Sequence, residues 1–319
     1  MSNSSPDPDR GWVDPELRPV LALLPDLGQL SDATLAAMRQ SLAPLPPEDV
    51  PEALSIEPVT LPGTRETSPV TGLLYRPKAA GPAAPAILHL HGGGYVAGSA
   101  RRDDPAVRRM ALRLGAVVLS VDYRLAPETA YPGALHDAHA GLSWLQDPSN
   151  GLGIDRTRIA VRGNSAGGGL AAGLALLAAR EGLPIAFLAL VYPMLDDRTP
   201  PHPFAGRHVW THASNRYGWS AYLGAAAHDP PDTAVPGRAD DLAGLPPTWI
   251  GCGSIDLFLE ENLAFAARLA RAGVPVEANV YAGAFHGFNL IPGVAVTRRF
   301  DRDLYGALSR ALDVEESSL

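Results

Sequence analysis

This 319-residue sequence has very little cysteine. It also lacks long apolar runs and the pattern of a secretory signal. Cys252 is the single cysteine, so no disulfide can form within the chain, and its apolar surroundings predict a buried thiol. No uninterrupted apolar run reaches the length that a membrane-spanning helix requires. Residues 1–9 carry neither the basic nor the apolar region of a secretory signal, and the expected compartment is the cytoplasm.

Positive charge is also in deficit in this chain. The 26 lysine and arginine residues against 34 aspartate and glutamate residues give a formal net charge of −8. This acidic balance argues against nucleic acid or an anionic membrane as a partner and says little about a small substrate. Hydrophobic residues make up 46% of the chain, which at this length is enough for one large domain or two modest ones.

From residue 86 onward, strand-like and helix-like segments alternate along the sequence. The nearly continuous apolar run at residues 86–90 is typical of a central strand in a parallel sheet. Strands are predicted at 53–60, 70–76, 86–90, 116–121, 158–162, 185–191, 248–252 and 276–281, and helices at 104–114, 134–145, 166–181, 258–272 and 295–312. This order predicts an α/β fold, with a mostly parallel sheet and helices on both of its faces.

Two regions stand apart from this alternation. Residues 16–28 and 31–42 have helical spacing, and a proline-rich linker follows at 44–51. Residues 196–245 follow a strand, at the edge where α/β proteins bind ligands, so they are predicted to form a lid with the N-terminal helices. A surface excursion without a function is the alternative. The predicted division is 1–50 for the N-terminal cap helices, 51–195 and 246–319 for the core, and 196–245 for the cap insertion.

A G-x-S-x-G run spans residues 163–167, between a predicted strand and a predicted helix. Such a turn holds the hydroxyl of Ser165 over the edge of the sheet and aims the backbone N–H of Ala166 at whatever the hydroxyl attacks. Gly163 and Gly167 leave room for the turn, because side chains there would clash with the strand and the helix. Ser165 is therefore a candidate nucleophile. A small-residue turn that packs a helix on a strand is the alternative interpretation.

A serine nucleophile needs a histidine that accepts its proton and a carboxylate that orients the histidine. Asp256 and His286 each follow a predicted strand, in the chain order serine, acid, histidine that such sheets use. They are the candidate acid and base. Asp196 or Asp197 could supply the acid instead, and Asp256 could also cap the helix that follows it.

A glycine run directly follows the predicted strand at 86–90. Bare backbone N–H groups can approach the negative oxygen of an attacked carbonyl, so Gly93, Gly94 and Ala166 are the predicted oxyanion donors. His91 is expected to brace this loop. A flexible glycine turn is one alternative. A phosphate-binding loop is a weaker one, because the sequence lacks G-K-[ST] and no apolar helix begins directly after a loose G-x-G-x-x-A match.

Histidines cluster at two places without the carboxylates or cysteines of a known metal site. His202, His208 and His212 lie in the insertion, whereas His136 and His139 are three residues apart on a predicted helix. Neither set matches a known ligand pattern, so no metal site is predicted.

Taken together, these motifs resemble the hormone-sensitive-lipase family of α/β-hydrolases, in its bacterial carboxylesterase branch. Similar stretches are residues 123–128 (YRLAPE), 192–197 (YPMLDD), 256–261 (DLFLEE) and 286–288 (HGF), and the resemblance spans residues 86–290. The resemblance implies an eight-stranded mixed sheet, a cap built from the N terminus and the insertion, and no cofactor.

The same resemblance implies a serine carboxylesterase that hydrolyses short- to medium-chain acyl esters through a covalent acyl-enzyme. The implied catalytic triad is Ser165, Asp256 and His286. Two departures from the family pattern stand out. Asn164 precedes the serine where the family usually has an acidic residue, and the acid motif at 256–261 lacks the usual proline and arginine.

Two other functions remain open at this stage. An amidase or arylacetamide deacetylase would use the same residues. A non-enzymatic binding module is the second alternative, and the presence of His286 argues against it, since related hormone receptors lose that histidine. Two copies are expected, by resemblance, to pair through the edge strand at 276–281. The candidate substrate contacts, with packing inside the cap as the alternative, are Tyr95, Trp210, Tyr217 and Trp219.

Overall fold

The computed structural model describes residues 11–21, 23, 29–44, 49–62 and 69–317. Over these residues the chain forms one sheet of eight strands with helices packed on both faces. The strands are β1 (Leu54–Leu61), β2 (Val70–Pro77), β3 (Ala84–Leu90), β4 (Val117–Val121), β5 (Ile154–Asn164), β6 (Phe187–Val191), β7 (Thr248–Gly253) and β8 (Val276–Tyr281). The helices are α1 (Arg18–Leu21), α2 (Asp32–Ser41), α3 (Asp104–Leu114), α4 (Gly133–Gln146), α5 (Ala166–Glu181), α6 (His212–Leu223), α7 (Leu259–Arg271) and α8 (Ala295–Leu312).

The strand order across the sheet is β1-β2-β4-β3-β5-β6-β7-β8. β2 pairs antiparallel with both β1 and β4, whereas every pairing from β4 across to β8 is parallel. This arrangement confirms the α/β fold and the mostly parallel eight-stranded sheet predicted from the sequence. Because the parallel strands end at one edge, the segments that follow β3, β5, β7 and β8 meet there.

The central strands are buried along their whole length because helices cover both faces of the sheet. Every residue of β3 and β4 is buried. Leu88 and Leu90 pack in the cluster that contains α4 and α5, whereas Ile87 packs in the cluster that contains α3 and α8. Side chains alternate between the two faces of a strand, so an almost uniformly apolar strand serves two cores at once.

Most predicted boundaries agree with the structure to within two residues. β5 begins at Ile154, four residues before the predicted strand, because its polar first part pairs with Ala84 through an irregular register. Of the helix predicted at 16–28, the described residues show α1; residues 22 and 24–28 lie outside them. Residues 45–48 of the predicted linker also lie outside the described residues.

The N-terminal segment and the insertion contact each other in the folded chain. α2 begins after Ser31, whose backbone N–H donates to the hydroxyl of Thr34 at 2.9 Å. The hydroxyl of Tyr217, on α6, donates to Asp32 at 2.7 Å and so joins the two segments. Within the described ranges, no helix is long and apolar enough to cross a membrane.

Candidate active site

Ser165 occupies a sharp turn between β5 and α5. Its backbone has φ 53° and ψ −118°, a conformation that residues with a side chain rarely adopt. The turn is held by backbone hydrogen bonds from Ser165 to Val191 at 2.9 Å and from Met194 to Ser165 at 3.0 Å. A Cβ atom on Gly163 would lie 2.0 Å from the carbonyl oxygen of Gly167, so this position requires glycine.

His286 joins Ser165 to Asp256. Its Nε2 lies 2.9 Å from the hydroxyl oxygen of Ser165, and its Nδ1 lies 2.8 Å from Oδ2 of Asp256. Because a carboxylate can only accept, Nδ1 carries the proton and Nε2 accepts the serine hydroxyl. The other oxygen of Asp256 accepts the N–H of Phe258 at 3.0 Å, so the carboxylate is fixed from two sides. This arrangement can transfer the serine proton to the imidazole.

The two carboxylates that competed with Asp256 for the role of acid have other partners. Asp196 pairs with Arg198 at 2.8 Å, and Asp197 pairs with Arg238 at 2.6 Å. Asp256 holds the N–H at the start of the next helix with one oxygen and the imidazole with the other. Its capping contact and its contact with the histidine therefore coexist.

The glycine loop after β3 lines the same pocket as the serine turn. Gly93 has φ 124° and Gly94 has φ 61°, backbone conformations that favour glycine. A Cβ atom on Gly93 would lie 2.1 Å from the carbonyl oxygen of Ala97, whose N–H closes the loop by donating to Gly93 at 3.0 Å. Ala166 begins α5, where the first N–H groups have no partner within the helix.

His91 braces this loop from the side of the core. Its ring stacks on Tyr123 with 4.1 Å between centroids, and its Nδ1 lies 2.8 Å from the carbonyl oxygen of Gly92. The hydroxyl of Tyr123 in turn donates to the carbonyl of His91 at 2.7 Å. Burial lowers the pKa of His91, which favours a neutral ring that donates through Nδ1.

A pocket of about 160 Å³ opens at Ser165 and His286. Both the N-terminal segment and the insertion contribute residues to it; that these segments form a lid stays a prediction. Its apolar wall consists of Met38, Leu42, Val209, Trp210 and Leu290. Its polar wall consists of Arg102, Asp103, Asn164 and Tyr192.

Of the four aromatic residues that were candidate substrate contacts, one lines the pocket and three pack elsewhere. Trp210 lines the pocket. Tyr95 is buried and stacks on Tyr222 with 3.9 Å between ring centroids, and Trp219 packs against both rings. Tyr217 hydrogen-bonds to α2. The positions of these last three fit the alternative interpretation, in which they pack the cap.

Asp103 and Val209 are two of the pocket-wall residues that gave no functional signal in the sequence. Asp103 directly precedes α3, where an aspartate reads as a helix cap. Val209 has φ 63°, which is unusual for a β-branched residue, and its side chain is half exposed. Unusual backbone conformations of this kind concentrate at functional sites, but only a structure reveals them.

Glu261 is a buried carboxyl beside the turn that follows β6. Its Oε1 accepts the N–H of Leu195 at 2.7 Å, and its other oxygen contacts the hydroxyl of Thr199. Burial raises the pKa of Glu261 to about 8, against the opposing effect of these hydrogen bonds. The hydroxyl of Thr199 is within reach of two acceptors, Glu261 and the carbonyl of Asp196 at 2.7 Å, so its single proton is donated to one of them.

Two of the histidines in the clusters outside the site have local partners. His139 lies 2.6 Å from Glu181, and His202 accepts the N–H of Ala205 at 2.9 Å. Among the residues that the structure describes, no group of three histidine, cysteine, aspartate or glutamate side chains is placed to hold a metal ion.

The fold, together with a serine, a histidine and an aspartate in line at the carboxyl edge of the sheet, defines the class of α/β-hydrolases. A family model described as alpha/beta hydrolase fold matches residues 87–290, and the chain belongs to this family. The match confirms the resemblance to the hormone-sensitive-lipase-like branch that the sequence motifs indicate.

Curated relatives and solved structures extend the similarity over most of the chain. Esterase LipI of Mycobacterium tuberculosis is 35% identical over 305 residues, which cover 92% of this chain and 93% of that protein. Carboxylesterase NlhH of the same species is 35% identical over 297 residues, which cover 89% of this chain and 91% of that protein. The solved structure of a bacterial heroin esterase has a TM-score of 0.87 at 36% identity, and covers 95% of this chain and 98% of its own.

Proposed function

We propose that the protein hydrolyses short- to medium-chain acyl esters through a covalent acyl-enzyme on Ser165. The observation that carries the proposal is the unbroken line of hydrogen bonds from Ser165 through His286 to Asp256. The protein is a carboxylic ester hydrolase, the class to which its relatives named esterase and carboxylesterase belong.

Acylation begins when His286 takes the hydroxyl proton of Ser165 as the serine oxygen attacks the ester carbonyl. A bond forms between the serine oxygen and the carbonyl carbon, and an electron pair moves to the carbonyl oxygen. Asp256 keeps the proton on Nδ1 and stabilises the imidazolium. The tetrahedral intermediate then collapses, the bond to the leaving alcohol breaks, and His286 gives its proton to that alcohol.

The negative oxygen of the intermediate is stabilised by backbone N–H groups of Gly93, Gly94 and Ala166. The two glycines stand in a loop fixed by its own hydrogen bonds, and Ala166 stands at a helix N-terminus, where partial positive charge accumulates. Deacylation repeats the steps with water as nucleophile: His286 takes a proton from water, the hydroxide attacks the acyl carbon, and Ser165 leaves with the proton that His286 returns.

The apolar wall and the small volume of the pocket favour a substrate with an acyl chain of limited length. Each buried methylene contributes about 0.8 kcal/mol, so kcat/KM should rise about fourfold per methylene until the pocket of about 160 Å³ is filled. Beyond that length the gain ends and the extra methylenes stay in water. A series of 4-nitrophenyl esters from acetyl to decanoyl locates the maximum, and a maximum at decanoyl would contradict the proposed substrate range.

Replacement of the nucleophile tests the mechanism. Ser165→Ala should lower kcat on a short-chain aryl ester by at least about 10⁴-fold, because no covalent intermediate can form. Ser149→Ala, an exposed serine after α4, is the matched control and should keep wild-type turnover. Turnover by Ser165→Ala at the wild-type rate would refute the assignment of the nucleophile.

Two further measurements separate the alternatives. A fluorophosphonate should label the wild-type protein at Ser165 and leave Ser165→Ala unlabelled, whereas a binding module would not react. Matched esters and anilides of one acyl group distinguish an esterase from an amidase, and we expect the ester to be the faster substrate. Pairing of two copies through 276–281, a cytoplasmic location, and the division into core and cap stay predictions.

A further inference from the structure

The side chain that precedes the nucleophile is held by a carboxylate from another part of the fold. Nδ2 of Asn164 donates to Oδ2 of Asp103 at 3.3 Å, and both residues line the pocket that contains Ser165 and His286. Asp103 is the residue before α3, where its side chain would ordinarily cap the helix, yet it makes no capping hydrogen bond to that described helix. Its carboxylate turns toward the ends of the strands instead.

A chain of hydrogen bonds continues from Asp103 into the sheet. Oδ2 of Asp103 lies 2.9 Å from Nε2 of His89, and Nδ1 of His89 lies 3.0 Å from Nη1 of Arg162. Arginine can only donate, so Nδ1 is the acceptor and Nε2 carries the proton that is donated to Asp103. His89 and Arg162 are register partners on β3 and β5, and Asn164 follows two residues later on the same face of β5.

Asp103 is ionised in this arrangement. Burial by itself would raise the pKa of Asp103, but the hydrogen bond from His89 and the nearby positive groups outweigh it and hold the pKa below its ordinary value. Burial lowers the pKa of His89 to about 4, so this histidine is neutral near pH 7. The chain therefore has a cationic end at Arg162, inside the sheet, and an anionic end at the pocket.

The charged and titratable groups around this carboxylate come from several elements. Those that face Asp103 are His89 on β3, His91 after β3, Tyr123 after β4, Arg162 on β5, Tyr192 after β6, and the neighbouring Arg102 in the pocket wall. The guanidinium of Arg102 contacts the carbonyl of Ala43 at 3.4 Å. His286 contacts Asp256, and its ring lies 4.5 Å from the Tyr192 ring.

We propose that Asp103 is a positioning residue for acyl transfer, which supplies from the start of α3 the negative charge that this chain lacks directly before Ser165. The inference rests on the proposed ester hydrolysis. A negative charge at the pocket wall stabilises the positive charge that develops on the imidazole as the serine proton is transferred. Asn164 contributes by donating to the carboxylate and fixing it beside the serine turn.

The test exchanges the two side chains. Asp103→Asn removes the charge at nearly constant shape. The acidic limb of kcat/KM should move to lower pH by about 0.5 to 1 unit, and kcat on the plateau should fall by about threefold to tenfold at most, because a weaker base takes the proton. Asn164→Asp places a second carboxylate beside the first, so activity should fall on the alkaline side, where both ionise and repel.

The double variant Asp103→Asn/Asn164→Asp restores one carboxylate with one amide partner. Its pH limb should return to the wild-type position and its kcat to within about threefold of wild type, a coupling that independent sites do not show. An effect on folding alone would not move the pH limb. Asp104→Asn is the matched control, because that carboxylate pairs with Arg108 at 2.7 Å and accepts the Tyr75 hydroxyl at 2.8 Å. It should lose stability and keep the pH limb.

The rate constant of fluorophosphonate labelling at Ser165 is measured across the same pH range as a second readout. This rate constant reports the reactivity of Ser165 independently of any ester substrate. If the wild-type protein is labelled but hydrolyses no ester, the proposed function is refuted, and the pH dependence of labelling still tests the role of Asp103. A wild-type pH limb in Asp103→Asn, or a double variant no better than the worse single variant, overturns the inference. Absence of labelling in the wild type would overturn both.

Discussion

At the scale of single residues, Gly94 ties the glycine loop to the insertion. Its φ is 61°, and a Cβ atom there would lie 2.1 Å from the ring of Trp210. Gly94→Ala should therefore displace either the loop or the ring and lower kcat/KM by at least about 100-fold, the loss typical of one oxyanion donor. Steady-state kinetics on a short-chain aryl ester measures the effect.

A second glycine provides the control for this substitution. Gly115 has φ 58°, and within the described part of the chain no heavy atom lies within 4 Å of a Cβ placed there. Gly115→Ala carries a similar backbone cost of about 1 to 2 kcal/mol without a contact in the site. Its melting temperature should fall while kcat/KM stays at the wild-type value. Equal losses of kcat/KM in the two variants would assign the effect at Gly94 to stability alone.

Glu261 should make the protein less stable as the pH rises. Burial raises its pKa to about 8 from an ordinary 4.5, so the folded state binds this proton more tightly than the unfolded state. The contribution is complete below the unfolded pKa and is lost as pH rises toward 8, by at most about 1.4 kcal/mol per pH unit. Glu261→Gln keeps an acceptor for Leu195 and a donor for Thr199. Urea unfolding at several pH values should show a flatter dependence in this variant, and parallel curves would contradict the prediction.

The three residues of the candidate catalytic triad could be predicted from the sequence because each lies in a short motif directly after a strand. The structure brings the side chains of Ser165, Asp256 and His286 into contact in the predicted order. The contact between Asp103 and Asn164 could not be predicted, because it depends on how the start of α3 meets the end of β5, 61 positions further on.

At the scale of elements, Arg39 fastens α2 to the core. Its guanidinium donates to the carbonyl of Val96 at 2.8 Å and to that of Ala126 at 3.0 Å, and it pairs with Glu128 at 2.6 Å. The hydrogen bond from Arg39 lowers the pKa of Glu128 to about 2. α2 places Met38 in the pocket wall, so the position of this wall depends on the contacts that the Arg39 guanidinium makes with the core.

Loss of these Arg39 contacts should raise KM more than it lowers kcat. Arg39→Ala is expected to raise KM for a butyryl ester by at least about tenfold, as for the loss of a charged hydrogen bond, and to leave kcat within about twofold. Glu128→Gln keeps the two bonds to backbone carbonyls and removes only an exposed ion pair, so its KM should stay near the wild-type value. A fall in kcat at unchanged KM in Arg39→Ala would contradict this role.

The long helices and strands could be predicted because the apolar residues that they bury recur in the sequence at the spacing of a helix or a strand. α8 agrees with its predicted bounds, and β3 reads as an almost continuous apolar run, interrupted by His89, because both of its faces are covered. The first part of β5 is polar and half exposed, and it joins the sheet only through its irregular pairing with β3. A local pattern carries no information about such a pairing, which depends on a neighbouring strand.

At the scale of the whole molecule, the sheet separates two buried clusters, and each depends on helices from distant parts of the sequence. α3 and α8 pack on one face, and α4 and α5 pack on the other. Removal of either layer would expose strands that are apolar on both faces, so we expect the sheet and these four helices to unfold together. The N-terminal segment and the insertion contribute contacts at one edge and are expected to open more easily.

Cys252 provides a direct test of this expectation. It is the single cysteine, it lies on β7 with 2% of its surface exposed, and burial raises the pKa of its thiol. A thiol reagent should therefore react only when the sheet opens, with a rate that follows the global free energy of unfolding across a urea series. Arg39→Ala, which loosens α2, should speed proteolytic cleavage of the N-terminal segment and leave the labelling of Cys252 unchanged. Labelling that is faster than global unfolding would show that the sheet opens locally, and labelling that accelerates in Arg39→Ala would show that the sheet and the cap open as one unit; either result would contradict the expectation.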